Sequence, residues 1–131
     1  MKKNNQLILA NEWFAKAGDD ELSGEAILKE NGAPGTLCFL SQQMAEKYLK
    51  GAAIFFGIKV EKIHDLMRLA DSLVGKIPEM KNRAKDFSIL NRYYIETRYP
   101  GESGIFDWKE AKKAFEIAKT IKEIILKAVN F

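Results

Sequence analysis

Cysteine is almost missing from this chain: Cys38 stands alone among 131 residues. A single thiol excludes an internal disulfide framework and fits a reducing compartment. It sits in the apolar run 37–40, which predicts a buried, inert thiol, because a nucleophile needs a base and exposure. Histidine is equally scarce. One His and one buried Cys are too few for a zinc site, so no metal and no cofactor are expected. No stretch approaches about eighteen apolar residues without charge, which predicts no membrane span. A glycine-rich phosphate loop is also lacking, since "GESG" at 101–104 follows no strand-like segment. Neither the period-two alternation of strands nor an internal repeat occurs. Charge of one sign does not dominate either. A net +3 permits binding to nucleotides or acidic proteins, but it is not the basic stripe of a dedicated nucleic-acid binder.

What is present reads as a folded chain. With 47% hydrophobic and 30% charged residues, 1–131 is expected to form one domain that buries roughly two-thirds of its unfolded surface. The opening stretch "MKKNNQLILANEWF" has a short apolar segment interrupted by Asn11 and Glu12. It lacks the length and cleavage site of a signal peptide, which predicts a cytoplasmic protein.

Pro34, Pro78 and Pro100 fall between apolar-periodic segments. The first predicted helix covers about 5–30, with Leu9, Trp13, Ala17, Gly24 and Leu28 on one face and Asp19, Asp20 and Glu21 interrupting it. "NGAPG" ends it. The second runs from Thr36 as N-cap to Gly57 just past its end. Leu37, Leu40, Met44, Tyr48, Ala52 and Phe55 form its inward stripe, widened by Ala45, Leu49 and Phe56. Glu46, Lys47 and Lys50 are expected opposite, with Glu46 and Lys50 paired four residues apart. A shorter helix follows "KVEKIHD" with Leu66, Leu69 and Leu73 inward. The fourth, about 79–97, carries Ala84, Phe87, Leu90 and Tyr94. The fifth opens at Asp107, with Glu110 at capping-box spacing, and buries Trp108, Ala111, Phe115, Ala118, Ile121 and Ile125. The expected fold is all-α, an antiparallel bundle of about five helices, similar to a four-helix bundle.

Few residues carry candidate chemistry. Arg98 follows Leu90 and Tyr94 at steps of four, on a stripe expected to face inward. A guanidinium there needs a carboxylate, a phosphate or helix-end carbonyls. Pro100 biases Tyr99 away from helical angles, so the chain turns directly after Arg98. Structural anchoring and anion binding both fit. His64 with Asp65 fits an oriented general base, or simply a helix start with Asp in its first turn. Met44 and Tyr48 read as core. Lys112, Lys113, Lys119, Lys122 and Lys127 give the last helix a basic outer surface, either merely solvated or open to an acidic partner or RNA.

"CFLSQQMAEKYLKG" on the second helix, "HDL" at 64–66 and "RYP" at 98–100, with Trp13 and Asp20, together resemble the HEPN domain family. The resemblance covers nearly the whole chain. It implies a prokaryotic helical bundle, usually a homodimer, often encoded beside a minimal nucleotidyltransferase as a toxin–antitoxin or accessory pair. Many members are metal-independent ribonucleases whose Arg is followed, with four to six residues between, by a His that meets it across the dimer seam. In this chain the His would fall at Ser103, Gly104 or Ile105, and none is His; no Arg precedes His64. The resemblance therefore implies a protein without a catalytic site, in which Arg98, Tyr93, Tyr94, His64 and Asp65 are the candidate nucleotide-binding residues. Tyr93 and Tyr94 would stack a base. The alternatives are an RNA-cleaving toxin using Arg98 with His64 as an atypical base, and a free-standing nucleotide- or RNA-binding module.

Overall fold

The computed structural model describes residues 3–60, 62–100 and 105–129; Ser103 and Gly104 lie outside them. Six α-helices follow in order: α1 Lys3–Glu30, α2 Pro34–Phe55, α3 Leu66–Leu73, α4 Ala84–Asn91, α5 Tyr93–Glu96 and α6 Trp108–Val129. A 3-10 segment, Pro78–Arg83, precedes α4, and no strand occurs among the described residues. The expected helical bundle is what forms.

The second helix is the axle of the bundle, packed against α1, α3, α5 and α6. Leu37, Met44, Ala45, Leu49 and Ala52 are each 0% exposed. A helix enclosed on most sides needs close neighbours, and Gly51 supplies one. A Cβ there would lie 2.5 Å from Phe14 Cε1 and 3.2 Å from the Ala10 carbonyl oxygen. This contact sets the face of α1: Ala10, Phe14, Ala17 and Gly24 are buried. Leu9 is exposed, while Trp13 and Leu28 are only half-buried. Of the expected face, Ala17 and Gly24 hold, but in the first half Ala10 and Phe14 are buried in place of Leu9 and Trp13, because the ring of Phe14 fills the gap over Gly51.

The start of α2 also moves. Pro34 occupies the first turn and Ala33 the N-cap, in place of Thr36. A proline there forfeits nothing, as its missing N–H would have had no helical partner. The other end follows expectation, with Gly57 at φ +73 just beyond it. At α6 the Asp107 side chain accepts from the Glu110 N–H at 2.8 Å, as the capping spacing predicts.

The acidic trio of α1 is no free patch. Asp20 pairs with Lys47 at 2.7 Å and Glu21 with Lys122 at 2.8 Å, tying α1 to α2 and α6. Burial raises the Asp20 carboxyl above its ordinary value, outweighing the bond from Lys47. No helix among the described residues is long and apolar enough to cross a membrane.

Candidate functional site

One α-helix over 79–97 was expected; instead a 3-10 segment leads into α4, and α4 and α5 are separated at Arg92, whose backbone stays at helical angles (φ -58, ψ -32). The buried side chains there are Phe87, Leu90 and Tyr93, at steps of three, so the inward position falls to Tyr93 rather than Tyr94. That single shift decides the site. Tyr93 goes into the core, 1% exposed, and its hydroxyl donates to Glu110 at 2.7 Å. It is not available to stack a base. Tyr94 moves to the flank, half-buried, and Arg98, past the end of α5, is exposed. The inward arginine is therefore corrected: the stripe has turned away before the chain reaches it.

Arg98 lies over rings. Its guanidinium carbon is 4.5 Å from the Tyr94 ring centre and 5.7 Å from those of Phe39 and Tyr99. Cation–π contacts of this kind hold a guanidinium without using up its N–H donors. Among the described residues no carboxylate or carbonyl takes those donors. Only its backbone N–H is committed, to the Ile95 carbonyl at 3.1 Å. The side chain is thus not a helix-end cap.

His64 meets the same tyrosine. The imidazole stacks on Tyr94 with ring centres 3.9 Å apart and planes 18° from parallel. Its Nδ1 lies 3.0 and 3.1 Å from the two oxygens of Glu46. A carboxylate only accepts, so Nδ1 donates, and in the neutral ring Nε2 carries the free lone pair. The imidazole side chain is 46% exposed, so a buried acid orients a ring that solvent reaches. Because His64 already covers Tyr94, that tyrosine acts as a platform for His64 and Arg98 before it can serve a base. Tyr99, 63% exposed, has the open ring instead.

Glu46 and Lys50 were expected on the outer face of α2 and are instead buried, 5% and 7% exposed. Their four-residue pairing does form, at 3.0 Å. Gln42, 0% exposed, donates to Glu46 at 2.9 Å and accepts from Gln43 at 2.8 Å. Lys50 also lies 5.5 Å from the Trp13 ring centre. Among the described residues no buried side-chain polar atom lacks a partner. Spacing alone places Glu46 on a polar helix face, so only contact with His64 exposes its role.

Asp65 serves structure first. Its Oδ1 accepts from the Met67 N–H at 3.0 Å as the N-cap of α3, and from Asn91 Nδ2 at 2.9 Å. Asn91 Oδ1 in turn accepts from the Leu66 N–H at 2.8 Å. This clasp holds α3 against α4 and sets where His64 sits. No three His, Cys, Asp or Glu side chains among the described residues converge as metal ligands. Cys38 is buried as expected, its thiol pushed up to about 12 chiefly by desolvation.

Comparison with known proteins bears on this arrangement. The structure resembles the crystal structure of TT1696 from Thermus thermophilus with a TM-score of 0.81. The two share 26% identity over 91% of this chain and 97% of that one. No curated protein matched. The model of the HEPN domain matches residues 10–129, from the buried face of α1 to the end of α6. With so much of the chain and its helical order accounted for, this protein belongs to the HEPN domain family.

Proposed function

We propose that this HEPN protein is a non-catalytic partner of a minimal nucleotidyltransferase, in an accessory or toxin–antitoxin pair, and that it binds a nucleotide phosphate through Arg98. The observation that carries the ligand part is the guanidinium of Arg98, steadied by three aromatic rings with its donors uncommitted. An arginine so placed offers a planar fork to a phosphate. Family membership supports the partner. The tyrosine-rich segment around Arg98 fits a two-fold seam between two copies, so a homodimer belongs to the same proposal.

Calorimetric titration with a nucleoside monophosphate tests the ligand. Binding is expected for the wild type and a clear loss for Arg98→Lys, which keeps the charge but not the fork. Equal binding by both proteins would remove Arg98 from the site. Co-expression with a nucleotidyltransferase encoded next to this chain is expected to give a complex that survives gel filtration. Two proteins eluting apart at low salt would leave a free-standing nucleotide-binding module as the better reading.

A second reading, RNA cleavage, is favoured by one observation: Glu46 orients His64 on the very tyrosine that carries Arg98. An oriented imidazole with a free Nε2 is what a general base requires. Incubation with RNA in the presence of chelator is expected to show no cleavage. Cleavage by the wild type that both Arg98→Ala and His64→Ala abolish would make this the function instead.

A further inference from the structure

The network around Glu46 ends in one free atom. Both Glu46 oxygens accept from His64 Nδ1, at 3.1 and 3.0 Å. Gln42 donates to one of them at 2.9 Å and Lys50 to the other at 3.0 Å. The amide of Gln42 is held in that sense, because its oxygen accepts from Gln43 at 2.8 Å. The carboxylate is thus fixed from three sides, and it fixes the imidazole in turn. With Nδ1 donating, Nε2 of the neutral ring is an acceptor, and among the described residues nothing bonds to it.

We infer that His64 Nε2 accepts from a sugar hydroxyl of the nucleotide whose phosphate Arg98 holds, and that Glu46 is the positioning residue for this contact. The inference rests on the phosphate reading of Arg98. His64 and Arg98 share one ring: the imidazole centre is 3.9 Å and the guanidinium carbon 4.5 Å from the centre of Tyr94. A ligand group bound at His64 therefore lies close to the phosphate. In a nucleotide that group is the sugar, whose hydrogen-bond donors are its hydroxyls. A second phosphate oxygen is excluded, since it only accepts and the neutral Nε2 offers it no proton. The cavity of about 420 Å³ beside His64, next to Tyr94 and Ile95, gives the sugar room. A hydroxyl read by an oriented acceptor also confers selectivity, because an analogue without it leaves that acceptor unpaired.

Calorimetry on the full chain at about pH 8, where an imidazole is ordinarily neutral, tests this with inorganic phosphate, AMP and dideoxy-AMP, which lacks both sugar hydroxyls. AMP is expected to bind about fivefold or more tighter than the dideoxy analogue, the value of one neutral hydrogen bond. His64→Phe keeps a ring on Tyr94 and removes the acceptor. It should bring AMP down to the dideoxy level and leave inorganic phosphate unchanged. In Glu46→Gln the amide can donate to Nδ1 as well as accept from it, which releases the tautomer and should shrink the same ratio. A purely structural role would instead weaken every ligand together, so a ratio unchanged in Glu46→Gln removes Glu46 from the contact. Equal binding of AMP and its analogue, or a preference that His64→Phe leaves intact, overturns the sugar contact but not the phosphate site. Loss of inorganic phosphate in His64→Phe overturns it as well, by assigning His64 to the phosphate. Failure of phosphate and AMP alike to bind the wild type overturns both readings. Oligo(A) identifies the source: tighter than AMP, it points to RNA, and weaker, to a free nucleotide. In either case His64→Phe must weaken the tighter ligand about fivefold, and no change counts against the contact.

Discussion

An acid and a lysine buried together stabilise a fold only while both are present. Glu46 and Lys50 are such a pair, with Gln42 and His64 completing the shell of Glu46. Removing one partner strands the other, at a cost of about 3–5 kcal/mol, whereas replacing both by apolar residues of similar size is often neutral. Glu46→Ala should therefore lose stability of that order in urea denaturation. Glu46→Leu combined with Lys50→Met should recover most of it. Nucleotide binding should stay weak in both, because His64 has lost its anchor. A single variant that loses under about 1 kcal/mol would show that the pair is not desolvated in solution. Arg98 behaves oppositely. It is exposed, and its ring contacts contribute about 1 kcal/mol or less. Arg98→Lys should melt close to the wild type while losing its ligand, and a collapse in Tm with binding intact would make it a structural anchor.

At the scale of elements, two contacts organise the molecule. One is the crossing of α1 over α2 at Gly51, where Phe14 occupies the space a side chain would need. Gly51→Ala gains up to about 1 kcal/mol in helix propensity. Overpacking costs about 1–3 kcal/mol, and the Ala10 backbone cannot retreat as a side-chain tip can. A net loss of stability by denaturant titration is expected, and a more stable variant would mean that α1 slides freely. The other is the burial of Tyr93, which continues the three-residue step of Phe87 and Leu90 and leaves Tyr94 on the flank to carry Arg98.

For the whole molecule, burial sets the response to alkali. Desolvation pushes the Cys38 thiol from its ordinary 9.0 to about 12 and the Tyr48 hydroxyl from 10.0 to about 12. Both hold their protons more tightly folded than unfolded, so above pH 9 the folded chain binds more protons. Their contribution is complete below the ordinary values and is lost as pH rises toward 12. Unfolding free energy should therefore fall over pH 9–12, and Cys38→Ala should make that fall shallower. A stability independent of pH across this window would contradict the burial of both groups. Surface charge has its own consequence. Reversing Asp20 or Glu21 should destabilise the protein itself, since both hold α1 in place. The exposed Lys112 is the better probe of a partner.

The sequence alone determined the helices and most of what they bury, because apolar spacing, prolines and capping residues act locally. Leu66, Leu69 and Leu73, the cap at Asp107 and the turn at Gly57 were all legible in this way. It also marked Arg98, His64 and Asp65 as residues whose presence needs a reason. What only tertiary structure decided is which of them meet. A helical register is an angle, and the core took Tyr93, three residues after Leu90, where Tyr94 was expected, which left Arg98 at the surface. Glu46 reads as a solvated helix acid until His64, in the segment before α3, meets it, since burial is a property of neighbours and not of spacing. The same packing brought Phe39 of α2, His64 just before α3 and Arg98 just after α5 around the one ring of Tyr94.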